Sequence, residues 1–407
     1  MTANRQHRSF LGAALIAATL IAGPAAAQDG VTSDTITVGA YGPLTGPAAY
    51  VGLGGRDGLS LAVKELNDGG GIHGRKIKVV FEDDGFSPTK ALASVKKLVE
   101  QDKVFLVFGV SGSNPTVGTL DYLKERKVPT YVSFASAPQV TRPFYRHIFR
   151  GGTTEAARYG ELYAEFLVEF LQAKRIAMLT GADEFPKNEG DATERHLQEW
   201  YKAKPVLRVE FKTGDKDFTP QLLRIKEANP DVILSFGLVT EAAIILRQAR
   251  ELGLRQPFFG SGAMVDNALI ASARFAAEGF MGGWLTPLFL DSAHPDMVKF
   301  RTDWGKLYPG APAGRPNLFD VLSYADMHVV AEGLRRAGKG LTGDSLIKAL
   351  ESLRDYRVNE IATPRTFTDW HHIGNLRMNM MIVANQHWVP LRWDPKRESA
   401  ILKDYKK

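Results

Sequence analysis

The stretch Val104-Phe105-Leu106-Val107-Phe108-Gly109-Val110-Ser111-Gly112-Ser113-Asn114-Pro115-Thr116 sets the fold. Its first five residues are apolar without a break. A strand with one wet face alternates apolar and polar residues, so an unbroken run describes a strand buried on both sides, as in a parallel sheet between helix layers. A turn of small residues follows, then a helical pattern that runs to Arg126. Ser113 or Asn114 is expected to cap that helix, and Pro115 to take its first position.

The same alternation extends in both directions. Upstream, strand patterns at 36–41 and 76–81 alternate with helical patterns at 55–67 and 88–100, and a strand at 129–133 follows the quoted segment. It then repeats. Helices are expected at 154–171, 189–201, 219–228 and 240–252, and strands at 175–179, 206–211, 232–236 and 258–260. Strand–helix alternation of this kind produces parallel sheets with helices on both faces. Between the two series lies Ile148-Phe149-Arg150-Gly151-Gly152-Thr153, and 284–290 is a second crossing candidate. Helices at 317–337 and 343–353 and strands at 376–384 and 388–393 complete the chain. The expected fold is α/β, with two doubly wound parallel-sheet lobes joined by about three hinge crossovers. The expected N-terminal lobe is 34–149 plus 284–364, and the C-terminal lobe is 150–283 plus 365–395.

Residues 1–27 read as a signal peptide. Arg5, His7 and Arg8 precede an apolar run over 10–23, and Ala25-Ala26-Ala27 supplies a cleavage site. That run is shorter than the roughly 20 apolar residues a membrane span needs. Export to the periplasm with cleavage after Ala27 is the expectation. The chain has 407 residues, 44% hydrophobic and 24% charged, an ordinary globular composition. Its net charge is +6, and removing Arg5 and Arg8 leaves 49 − 45 = +4. So small and scattered a surplus does not describe a nucleic-acid binder. With no cysteine, disulfides and thiolate metal sites are excluded.

Several segments occur together in a fixed order. Gly42-Pro43-Leu44-Thr45-Gly46-Pro47 follows the first strand, and Asn67-Asp68-Gly69-Gly70-Gly71-Ile72-His73-Gly74-Arg75 follows the first helix. Glu82-Asp83-Asp84 ends the second strand, and Ser133-Phe134-Ala135-Ser136-Ala137-Pro138 ends the fourth. Lys216-Asp217-Phe218 and Leu246-Arg247-Gln248-Ala249 lie in the second half. Over roughly 36–393 this set resembles the leucine/isoleucine/valine-binding family of type I periplasmic solute receptors. The resemblance implies a non-enzymatic receptor that binds its ligand between two lobes and delivers it to an ABC transporter permease, without a cofactor. A monomer is expected.

The local chemistry points to a carboxylate. The first N–H groups of the helix after Gly112 lack partners within the helix, and they lie at the positive end of its dipole. Such a terminus accepts anions, and strand carboxyl ends in open α/β sheets are where ligands bind. Ser113, Asn114, Phe134, Ala135 and Ser136 occupy these turns. The resemblance matches the family's carboxylate-binding serine to Ser113, and its contacts on the next strand to Phe134 and Ser136. It places a first-lobe aromatic at Tyr50 or Val51. The chain departs from the amino-acid receptors elsewhere: Gly262 stands where an acid would pair with the ligand ammonium, Leu238 replaces an aromatic, and Phe185 a tyrosine. Burying an ammonium without a partner costs several kcal/mol. Together with Met264, these replacements favour a carboxylate with an aromatic or otherwise apolar body. Glu241 or Asp266 could supply the missing acid, which leaves a branched-chain or other amino-acid receptor as the alternative.

Other motifs carry less. The glycine run at 69–74 lies between helix and strand, with no Gly-Lys-Ser/Thr after it, and reads as a turn. His371-His372 reads as a surface or cleft-rim pair, because adjacent residues on a strand face opposite ways; no metal site is expected. There is no Gly-x-Ser-x-Gly elbow. A secreted hydrolase, or a ligand sensor for a membrane signalling partner, remains the alternative of another class.

Overall fold

The computed structural model describes residues 28–405; the expected signal peptide falls outside them. The chain begins with β1 (Thr35–Gly42), α1 (Ala49–Asp68), β2 (Lys76–Asp83), α2 (Pro88–Glu100), β3 (Leu106–Gly109), α3 (Ser113–Arg126), β4 (Thr130–Val132) and β5 (Ile148–Arg150). These strands form one parallel sheet in the order β2-β1-β3-β4-β5. Every residue of β3, β4 and β5 is buried, and for β3 this is the physical counterpart of its apolar run.

The second series comprises α4 (Ala156–Glu165), β6 (Ile176–Gly181), α5 (Glu184–Tyr201), β7 (Leu207–Phe211), α6 (Thr219–Ala228), β8 (Val232–Phe236), α7 (Val239–Glu251), β9 (Phe258–Gly260), α8 (Asn267–Ala273) and β10 (Met281–Trp284). Then come α9 (Pro295–Leu307), α10 (Leu318–Ala337), α11 (Gly343–Glu351), β11 (Asn379–Ala384), β12 (His387–Pro390) and α12 (Ile401–Asp404). The second sheet runs β12-β11-β10-β9-β8-β6-β7. It is not parallel throughout: β11 pairs antiparallel with β10, and β12 with β11. A short hairpin is the only way the returning chain can extend that edge without another crossover helix.

The chain passes between the sheets three times: after β5, after β10, and between α11 and β11. The α9–α10 segment returns to the first lobe. Arg315 ties it there, donating to Asp57 of α1 at 2.9 Å and to Asp320 of α10 at 2.7 Å. At the first crossing Gly151 is required, since a Cβ there would lie 2.2 Å from the Tyr131 ring. The third crossing is fixed by Arg365, paired at 3.3 Å with the buried Asp326, which also accepts from Ser133 and Tyr131.

His371 and His372 correct the surface reading. Both are buried within this third crossing. The His372 ring stacks on Phe149 at 3.7 Å, and its Nδ1 lies 3.0 Å from the Ile148 carbonyl oxygen. Burial lowers its pKa. The pair serves as a packing element between crossings.

Candidate functional site

The cleft is built from the turns that leave the strands. Phe86 follows β2, Gly112 follows β3 and Phe134 follows β4. From the other sheet come Phe185 after β6, Leu238 after β8 and Ala263 after β9. Together with Val51 of α1 and Phe319 of α10 they enclose a cavity of about 30 Å³. Both sheets therefore present their carboxyl ends to one apolar space, the position where doubly wound sheets bind ligands. Phe134 and Phe319 meet edge-on at 4.9 Å, which gives the cavity a rigid aromatic wall.

Ser113 does not cap α3, and neither does Asn114. Gly112 is the N-cap and supplies no side chain, so Ser113 is the first helical residue and Pro115 the third. The Ser113 hydroxyl instead crosses to the next strand end, where it accepts from Ser136 N and Ala137 N, both at 3.1 Å. The tertiary partner outcompetes the local cap. The buried Arg150 holds the same turn from behind, donating to the Ala135 carbonyl and, at 2.7 Å, to the Ala137 carbonyl. With their carbonyls turned toward Arg150, Ala135 and Ala137 are fixed in one orientation.

Asn114 and Tyr50 bridge the lobes. Asn114 Oδ1 accepts from Phe185 N at 3.2 Å, and Tyr50 Oη accepts from Val239 N at 3.3 Å. Those two N–H groups belong to the first turns of α5 and α7, which lack intrahelical partners. Side chains of one lobe thus cap helices of the other. Tyr50 forms this bridge while Val51 lines the cavity, so the two neighbours divide the roles that the sequence left open between them.

The second-lobe candidates divide similarly. Phe185 and Leu238 line the cavity; Gly262 lies beside it, donating to Tyr163 Oη at 3.2 Å. Met264 is fully buried under Gly260 and packs the core beneath the cleft. Both oxygens of each acid that could stand in for the missing carboxylate are already engaged. Glu241 accepts from Gly214 N and from Leu238 N and Thr240 Oγ1, at 3.0, 3.1 and 3.0 Å. Asp266 caps α8 by accepting from Ala268 N at 2.7 Å, and it accepts from Leu318 N at 3.3 Å; burial pushes it up to about 7.

Sequence reading missed Phe86, Phe319, Tyr163 and Glu189. Phe86 was within reach, because it closes the Glu82-Asp83-Asp84-Gly85-Phe86 turn after a strand. Phe319 and Tyr163 arrive from helices with no cleft motif of their own. Glu189 sits on the polar, charge-rich α5 and looks like a solvated residue, yet it is only 2% exposed, and its Oε2 has no hydrogen-bond partner among the described residues. Burial pushes it up to about 8. The Ser136 hydroxyl faces it and offsets part of that rise without closing a hydrogen bond.

Two α/β lobes that close on a cleft at their strand ends define a bilobal solute receptor, a class that binds a small molecule by closing around it. The chain belongs to the periplasmic binding protein family, matching it over residues 35–387; these are the type I solute receptors of ABC transporters, and they are not enzymes. It is 29% identical over 383 residues to the leucine-, isoleucine-, valine-, threonine- and alanine-binding protein of Pseudomonas aeruginosa, covering 94% of this chain and 97% of that one. It is 30% identical over 367 residues to the leucine-specific-binding protein of Salmonella typhimurium, covering 89% and 94%. Among solved structures, the isoleucine complex of the branched-chain amino acid transporter substrate binding protein LivJ from Streptococcus pneumoniae superposes with a TM-score of 0.76 at 24% identity, covering 88% of this chain and all of that one. A fatty acid ABC transporter substrate-binding protein from Thermomonospora curvata reaches a TM-score of 0.78 at 23% identity, covering 93% and 96%. These two likenesses establish the fold.

Proposed function

We propose that the chain is the exported receptor of an ABC importer and binds a small carboxylate whose body is aromatic or otherwise apolar. One observation carries the ligand chemistry. The cavity is walled by Val51, Phe86, Phe134, Phe185, Leu238 and Phe319, and Gly112, the N-cap of α3, lines it too, with Ser113 next along the chain and hydrogen-bonded to the Ser136 turn. Apolar walls take the ligand body, and the donors take its carboxylate. In this reading Ser113, Ser136 and the Ala135 turn contact the carboxylate. Phe134, Phe185, Leu238 and the backbone at Gly262 contact the body. Tyr50 and Asn114 report closure.

The lobes move as two bodies, 34–149 plus 284–364 against 150–283 plus 365–395. Closure by differential affinity for the closed form presents one shape to a membrane permease. The protein acts as a monomer in the periplasm after removal of residues 1–27. Among the described residues no helix is long and apolar enough to cross a membrane.

The relatives named for leucine and its neighbours favour a second reading, a branched-chain amino-acid receptor. Mass spectrometry of the ligand that co-purifies with the protein, followed by calorimetry with that compound, separates the two. A monocarboxylate with an apolar body and no amino group is the expected result. Recovery of leucine, isoleucine or valine would replace the first reading with the second, and recovery of a sugar or a cation would end both.

A further inference from the structure

We propose that Glu189, held as the neutral acid, donates a hydrogen bond to the carboxylate of the ligand at the floor of the cleft and thereby selects carboxylates that carry no ammonium group. This rests on the carboxylate reading above and adds a residue and a selectivity to it.

The geometry assembles donors. Both lone pairs of the Ser113 hydroxyl are taken by Ser136 N and Ala137 N, so its proton is what remains to offer. Tyr163 Oη already accepts from Gly262 N and likewise has its proton to give. The Ser136 hydroxyl and Glu189 Oε2 face one another, both buried and both without a partner among the described residues. Thr180 Oγ1, also buried and unpartnered, lies beneath Gly190, the next residue along α5.

The groups facing Glu189 are uncharged. Tyr159 and Tyr163 face it from α4, and Ser136 faces it from the first lobe. From β6 comes Thr180, and on the α3 side Asn114 is engaged with Phe185 N. Of the nearby arginines, Arg208 beside α5 is bound to Asp191 and Glu194, and Arg150, which faces Tyr159, is bound to the Ala135 and Ala137 carbonyls. No cation therefore supports the ionised form, and a buried carboxyl without one keeps its proton. Burial pushes Glu189 up to about 8, so it is a donor at pH 7. Four donors converging without a cation suit an acceptor-rich, anionic group. An ammonium would find only hydroxyl lone pairs and a carboxyl that must first be ionised.

Matched pairs of probes test this: 3-phenylpropanoate against L-phenylalanine, and 4-methylpentanoate against L-leucine, by calorimetry from pH 6 to 9. The desamino compounds should bind more tightly. Their affinity should fall about tenfold between pH 7 and 9 as Glu189 ionises. Tyr159 and Tyr163 are held well above the ordinary tyrosine value, so they stay protonated across that range. Glu189→Gln keeps a neutral donor, so it should bind within about threefold of the parent at pH 7 and lose the pH dependence. Glu189→Ala should weaken binding at every pH. Loss of binding in Glu189→Gln at pH 7, or tighter binding of the amino acids with release of about one proton, would make Glu189 an ammonium partner. That outcome overturns the proposal but leaves a carboxylate receptor. Failure of all four probes to bind the parent protein would overturn the carboxylate reading and the proposal with it.

Discussion

Replacing Ser113 by alanine removes one oxygen and leaves two buried N–H groups, those of Ser136 and Ala137, without an acceptor. Each buried donor left unsatisfied costs about 1–3 kcal/mol. The turn cannot swing to find new partners, because Arg150 holds the carbonyls of Ala135 and Ala137 from the other side. A shift of a few tenths of an ångström still recovers part of the loss, so the expected destabilisation is roughly 2–4 kcal/mol. For a lobe of this size each kcal/mol lowers Tm by about 2–4 °C, which gives a drop of about 4–16 °C. Differential scanning fluorimetry of the ligand-free protein measures it. Calorimetry with the co-purified ligand should show a further loss, about 10- to 150-fold, for the missing charge-assisted hydrogen bond. A Tm within 2 °C of the parent would mean that the Ser113 hydroxyl does not carry the two N–H groups. Unchanged affinity would remove it from the ligand site.

Glu189→Gln should stabilise the ligand-free protein in a pH-dependent way. Below about pH 4.5 the folded and unfolded chains both hold the proton and the glutamate costs nothing; between 4.5 and about 8 only the unfolded chain ionises, so native stability falls as pH rises. At about 1.4 kcal/mol per unit, the parent should lag the variant by roughly 3 kcal/mol at pH 7; parallel urea midpoints from pH 5 to 8 would contradict this. Gly58→Ala should lose about 1–3 kcal/mol or more, because its Cβ would lie 2.0 Å from the Asp320 carbonyl oxygen where α1 crosses α10; an unchanged thermal midpoint would show that the helices separate at no cost. Tyr50→Phe and Asn114→Ala each remove one bridge between the lobes. Small-angle scattering of the double variant without ligand should show a larger radius of gyration than the parent, and identical profiles would place closure elsewhere.

Much of the fold was legible in the chain. The buried strands of parallel sheets read as apolar runs, and α2, α6, β8 and β9 fall where periodicity placed them. The start of α1 did not. It begins at Ala49, not at 55, because Gly52, Gly54 and Gly55 weaken the helical signal there. Those glycines are present because the helix packs against Pro43, Asn317 and Val110, and no local pattern records that. The expected helix over 154–171 instead changes to π-type turns over Phe166–Phe170.

For the site, the sequence by itself determined which turns face the cleft, since strand ends and small-residue loops have local signatures. It also determined that Phe185 and Leu238 are apolar. What each polar group does was decided by the tertiary structure. Ser113 has the chemistry of a cap and spends it on a neighbouring strand end 23 residues away. Glu241 and Asp266 look like free acids and are consumed by helix termini. Glu189 looks solvated and becomes a buried carboxyl whose Oε2 has no hydrogen-bond partner among the described residues. The reason is common to all three. A residue's hydrogen-bonding capacity is written in its side chain, but water competes for that capacity until packing removes it, and only the assembled lobes determine which partners remain.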